Sequence, residues 1–155
     1  MITLDGPDVF ATTIFCDDVR VEVGGKISLI GSYSDNMYVH GGFPFVLPKF
    51  GFFVRVVQSH RAWMPISKIV AFLPEDSEDH WSLEQTLPDS IHEAAVEEAN
   101  ADVEGQAHGV LTINVHFVVA PLVLKAPGVI KVRAVRGDAL VRCGLLNISA
   151  PPSQS

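Results

Sequence analysis

The chain has 155 residues, 48% hydrophobic and 19% charged, with a net charge of −7. A domain of this size buries roughly 70% of the surface its unfolded chain exposes, so it requires neither a disulfide nor a metal staple. The apolar content excludes a wholly disordered protein, no apolar run reaches the roughly 18 residues of a spanning helix, and the acidic balance argues against a general nucleic-acid binder.

The residues from Met1 to Asp8 contain no basic stretch and carry two acids and a proline. That is not the pattern of a secretory signal, and the expected compartment is the cytoplasm, with no membrane attachment. There Cys16 and Cys143 are expected to be free thiols that fill small core sites.

The dominant period along the chain is two. Phe50, Phe52, Val54 and Val56 alternate with Lys49, Gly51, Phe53 and Arg55; Leu111, Ile113, Val115, Phe117 and Val119 alternate with Thr112, Asn114, His116 and Val118. Such alternation marks half-buried strands. Strands are expected near 9–22, 27–34, 37–40, 49–58, 66–73, 109–119, 128–136 and 139–149, which makes the fold an all-β antiparallel sandwich of seven or eight strands. The expected domain is 1–150, with 151–155 a disordered tail.

Within the first strand, Ile14 and Cys16 have one parity, and Val19, Val21 and Val23 the other. A bulge at Asp17-Asp18 would bring both sets to the core, with a carboxylate accepting backbone N–H groups or pairing with Arg20. In the following hairpin a three-residue loop, Val23-Gly24-Gly25, pairs Glu22 with Lys26, Val21 with Ile27 and Val19 with Leu29, keeping one face apolar. Gly31 inside a strand signals a bulge or a close backbone approach. Pro44 and Pro48 bracket an extended crossing that cannot be a central strand.

Trp63 lies in a polar connection beside His60 and Arg61. It is a candidate partner contact, or it folds over the end of the sandwich. From Ile69 to Leu124 there is no Lys or Arg but there are 11 Asp and Glu, whereas the rest of the chain holds 11 basic and 7 acidic residues. Within this acidic stretch, 89–102 breaks the two-residue period. Ser90 and Glu93 have capping-box spacing, and Ile91, Ala94, Ala95 and Ala99 form a helical stripe, so a short helix or an acidic loop is expected.

The last hairpin turns at Gly137-Asp138. A two-residue loop pairs Ala134 with Val141, Val132 with Cys143 and Ile130 with Leu145. On the other face it sets Arg133 opposite Arg142, a destabilising like-charge pair unless something neutral or anionic separates them, and Arg136 and Lys131 extend the patch. Lys131, Arg133 and Arg142 are therefore candidates for docking an acidic protein partner or a second copy of the chain. Arg136-Gly137-Asp138 spells an adhesion tripeptide but reads as a hairpin turn.

Catalytic chemistry finds no footing. There is no nucleophile elbow, no Walker A loop and no GxGxxG. His40, His60, His80, His92, His108 and His116 lack metal-ligand spacing and read as surface or strand-face residues. Glu75, Asp76, Glu78 and Asp79 are the metal candidates, since hard cations take several carboxylates, and with the acidic 89–104 stretch they could grip calcium. No cofactor is expected. The expected function is a non-enzymatic binding or assembly module, with the calcium- or small-ligand-binding sandwich as the alternative.

Three motifs carry a resemblance: Cys16-Asp17-Asp18-Val19-Arg20; then Gly24-Gly25-Lys26-Ile27-Ser28-Leu29-Ile30-Gly31-Ser32-Tyr33; then Phe43-Pro44 leading to Pro48-Lys49. Together they resemble a bacterial family of small cytosolic all-β proteins of unknown function, over about 14–57, and again over 126–149 where the end hairpin is similar. The resemblance implies an immunoglobulin-like sandwich and supplies no activity or catalytic residues.

Overall fold

The computed structural model describes residues 8–101 and 109–153. The strands are β1 (Val9–Cys16), β2 (Asp18–Val21), β3 (Ile27–Ile30), β4 (Asn36–Tyr38), β5 (Phe45–Leu47), β6 (Phe50–Ser59), β7 (Ile66–Phe72), β8 (Leu83–Thr86), β9 (Val110–Val119), β10 (Leu122–Leu124), β11 (Gly128–Arg136) and β12 (Ala139–Ser149). A 3-10 turn, His60–Ala62, precedes β7, and helix α1, Asp89–Ala101, follows β8. The chain is mostly β, as its alternation implies.

A three-stranded sheet runs β1-β6-β9 and a five-stranded sheet runs β4-β12-β11-β7-β8; β2-β3 and β5-β10 form separate ribbons. The expected parity holds on β6, β9 and β11. Phe50, Phe52, Val54, Val56, Leu111, Ile113 and Val115 from the smaller sheet share one buried cluster with Ile130, Val132 and Ala134 from the larger. Among the described residues β5 and β10 pair only with each other, consistent with the prolines that flank β5. β4 corrects the all-antiparallel expectation, because it runs parallel to the end of β12.

The first strand is corrected too. Phe15 points into the core, and Ile14 is exposed. At Asp17 the chain leaves the sheet and β2 folds back over its outer face, where Val19 lies against Gly51. Cys16 and Val19 are buried outside the main cluster, while Val21 and Val23 project into solvent, Val23 at 98% exposure. The hairpin register is the expected one, with Val21 opposite Ile27, Val19 opposite Leu29, and the Glu22 N–H donating to the Lys26 carbonyl.

The end hairpin begins as expected, with Ala134 opposite Val141 and Arg133 opposite Arg142. It then shifts register between Val132 and Arg133, so Val132 meets Gly144 and Ile130 meets Leu146. The extra residue, Cys143, stays buried, and the shift turns Leu146 inward and leaves Leu145 58% exposed. Cys143 and Cys16 are free and buried, and burial raises both thiol pKa values, that of Cys143 to about 11.

Polar side chains tie the sheets: the Thr13 hydroxyl on β1 donates to the Cys143 carbonyl on β12 at 3.0 Å, and Gln58 on β6 accepts from Arg136 on β11. Gln58 is 1% exposed. Its amide donates to the Met64 carbonyl at 2.9 Å, and its oxygen accepts from the Met64 N–H at 3.3 Å and from Arg136 Nε at 2.8 Å. Arg136 also donates to the Ala62 carbonyl. The guanidinium of the Arg136-Gly137-Asp138 tripeptide is therefore bound within the fold and, against expectation, does not extend the basic patch of Arg133 and Arg142.

Helix α1 begins at Asp89, so Ser90 lies inside its first turn instead of capping it. Its buried side carries Ile91, Ala95, Val96 and Ala99, with Ala94 exposed. His92 is buried here, against expectation, with its Nε2 at 2.9 Å from the Ile66 carbonyl. A carbonyl only accepts, so Nε2 carries the proton. Trp63 stands edge-on to that imidazole.

Candidate functional site

The two charged groups singled out in the sequence meet. β7 pairs with β11, so the turn leaving β7 lies over the outer face of β11 and β12. Gly128 permits this approach, since a Cβ there would stand 2.8 Å from Pro74. Between the turn and the strands is a hollow of about 440 Å³, lined on one side by Lys131, Arg133, Arg142, Val129 and Leu140 and on the other by Phe72, Pro74, Asp76 and Glu78. A second hollow of about 430 Å³, beyond the cations, is lined by the same three basic residues with Cys143, Gly144 and Leu145.

Asp76 builds the acidic wall from within. One carboxylate oxygen accepts the N–H groups of Leu73 and Ser82, each at 2.8 Å, and the other accepts the Ser82 hydroxyl at 2.6 Å. Burial opposes the carboxylate, but these donors outweigh it and hold its pKa below the ordinary aspartate value. A depressed folded-state pKa stabilises fully above the unfolded value of 3.8 and loses that contribution as pH falls through the folded value. Asp76→Ala is expected to cost about 1–2 kcal/mol at neutral pH. In urea titrations the gap from the parent protein should close in strong acid.

The same turn is pinned from outside. Trp81 stands edge-on to Phe72 with centroids 6.0 Å apart, its indole N–H donates to Glu84 at 2.7 Å, and Lys68 bridges Glu84 at 3.3 Å. The calcium expectation finds no geometry here. Asp76 spends its oxygens locally, Glu75 faces Lys125 at 4.0 Å, and residues 89–101 form the helix. Among the described residues no group of three His, Cys, Asp or Glu side chains is close enough to hold a metal. Asp102, Glu104 and His108 lie outside the described residues.

The basic wall is less settled. Arg133 is half-buried and donates to its neighbour's carbonyl, Val132 O, at 2.9 Å beside the register shift. Burial first, then the Arg142 charge, lowers its pKa, yet a guanidinium stays charged at neutral pH. Among the described residues no carboxylate forms an ion pair with Lys131, Arg133 or Arg142. Opposed like charges cost stability, so Arg142→Glu should raise stability by about 0.5 kcal/mol, read as a higher urea midpoint.

Trp63 is not brought to this face. It packs half-buried beside His92 at the α1 end of the core, and its indole nitrogen is buried without a partner among the described residues. The motif residues of the N-terminal half gather at a third place. Tyr33 donates to Asp17 at 2.5 Å, the Asp17 N–H reaches the Ile30 and Gly31 carbonyls, and Lys49 pairs with Asp18 at 2.7 Å, with Arg20 at 3.5 Å. Burial and the Asp17 contact raise the Tyr33 pKa. These polar groups are spent on one another, so the motif is a clasp between the β2-β3 ribbon and the smaller sheet.

A model of the family of unknown function DUF6941 matches residues 11–143. The chain belongs to this family. The matched span takes in the clasp, the pinned turn and both strands of the basic wall as far as Cys143. No curated protein and no solved structure matches the chain. Among the described residues no helix is long and apolar enough to cross a membrane.

Residues that the sequence did not single out are Gln58, which joins the two sheets through Arg136, and Leu140; Leu145, expected inward opposite Ile130, flanks Arg142 with Leu140 instead, the two leucines at 58% and 46% exposure. The exposed leucines had a signal only through the register of the last hairpin.

Proposed function

We propose that this DUF6941 protein is a non-enzymatic binding and assembly module: a cytoplasmic bacterial domain, an immunoglobulin-like sandwich in type, that docks an acidic protein segment on the outer face of its larger sheet. The segment belongs to a partner or to a second copy. The observation that carries this reading is the directly opposed Arg133–Arg142 pair, with no carboxylate ion-paired to it among the described residues. Such an arrangement costs the free protein stability, and an incoming anion would relieve that cost.

The reading is tested by light scattering after size exclusion, at low and high salt, with titration of polyglutamate. The expected result is an association that weakens with salt and is lost in the Arg133→Gln/Arg142→Gln double variant. A chain that is monomeric at every salt concentration and binds no polyglutamate would overturn it.

A further inference from the structure

The chemistry of the docked segment can be taken further, on the footing of the proposed docking face. The cation pair does not sit at the end of a pocket. It separates two hollows that share Lys131, Arg133 and Arg142. On one side the floor is Phe72, Leu73, Pro74, Val129 and Leu140; on the other it is Leu145 with Gly144. The surface therefore presents a hollow with an apolar floor under a polar rim of Asp76, Ser77 and Glu78, a guanidinium pair, and beyond the pair a second, mainly apolar hollow.

We propose that the occupant is a protein segment with an apolar–acidic–apolar pattern, its carboxylate received between Arg133 and Arg142 and its apolar side chains seated in the two hollows. Three features of the face select this chemistry. Two guanidiniums side by side match the two oxygens of one carboxylate, and Arg133 is already held by its bond to the Val132 carbonyl. Asp76 and Glu78 on the opposite wall disfavour more highly charged groups, so a carboxylate fits better than a phosphate dianion. A small organic acid would fill one hollow and leave the other wet, whereas a chain fills both. Each hollow lies within the roughly 300–1,000 Å³ of ordinary ligand sites and holds a large side chain comfortably.

The test uses capped peptides on the full chain, followed by NMR shift mapping and calorimetry. One peptide has the pattern leucine–spacer–glutamate–spacer–leucine; a second replaces the glutamate with glutamine; a third replaces both leucines with glycine. Octanoate, polyglutamate and inorganic phosphate complete the set. The first peptide is expected to shift resonances of both hollows and to bind about tenfold or more tightly than either altered peptide, given the strength of charge-assisted hydrogen bonds and side-chain burial. Arg133→Gln and Arg142→Gln should each weaken it by about tenfold without lowering the melting temperature.

Equal binding of the glutamine peptide would overturn the carboxylate anchor. Equal binding of the glycine peptide or of polyglutamate would overturn the apolar hollows. Octanoate or phosphate binding as tightly as the first peptide would overturn the segment in favour of a small anion. If the peptides fail while the salt-sensitive, Arg-dependent association persists, this inference falls and the docking face stands. If both fail, the docking face falls with it.

Discussion

Replacing Gln58 with leucine is expected to lower stability by about 2–4 kcal/mol, although leucine suits a buried site of that size. The side chain is not a hydrophobic filler. It mimics a strand partner for Met64, donating to its carbonyl and accepting from its N–H, and the same oxygen takes the Arg136 Nε. Leucine would leave a peptide N–H, a peptide carbonyl and a guanidinium nitrogen without partners at a site that is 1% exposed. Unmet buried groups carry their full desolvation penalty, and a cation carries more than a neutral group. Gln58→Glu should cost less, since it keeps the Arg136 contact and loses only the donor to Met64. Urea unfolding checks both. The midpoint should fall further for leucine than for glutamate, with unchanged slope, and equal midpoints would contradict the bonding scheme.

Gly31→Ala is expected to cost about 2–3 kcal/mol through two separate effects. The backbone at Gly31 has φ +64°, a left-handed conformation that disfavours any side chain. In addition, an added Cβ would stand 2.2 Å from Asp17 Oδ2, so the carboxylate must move and surrender its bond from Tyr33. Tyr33→Phe removes that bond alone and should cost about 1 kcal/mol. In the double variant the two losses should fall short of additive, because the alanine has already displaced the carboxylate. Strict additivity would mean that Asp17 adjusts without releasing Tyr33.

Most of the core was legible in the sequence because it is local. Alternation sorts β6, β9 and β11 into inner and outer faces without knowledge of their neighbours, and glycine-rich turns fix hairpin registers within a few residues. The Arg133–Arg142 opposition followed from such a turn. The reading failed where two frames are equally apolar. Cys143-Gly144-Leu145-Leu146 offers small or apolar residues at both parities, so nothing in it announces the bulge. It failed again at Ile14 and Val21, whose apolar character points to the core while a ribbon folded over the outer face takes Val19 and Cys16 instead. Long-range placement was illegible for a different reason. That acidic Asp76 and Glu78 lie across from basic Arg133 follows from β7 pairing with β11, a contact between segments about sixty residues apart in sequence. The burial of Gln58 and His92 has no signal in the sequence, because a buried polar side chain is recognised by its partners, and those lie elsewhere in the chain.

The register shift in β12 gives that strand a grammar of length. Upstream of it Arg142 faces outward; downstream Leu145 and Asn147 do, and Leu146 and Ile148 fill the interior. Loss of Leu145 would turn every later side chain over, exposing Leu146 and Ile148 and driving Asn147 inward, whereas loss of the unpaired Cys143 would straighten the ladder and leave them in place. Gly144 sits at this hinge, and a Cβ there would come within 2.7 Å of Thr13 on β1. In descendants of this chain, an insertion or deletion beyond Gly144 should therefore be purged sooner than almost any exchange of one side chain for another, Gly144 excepted.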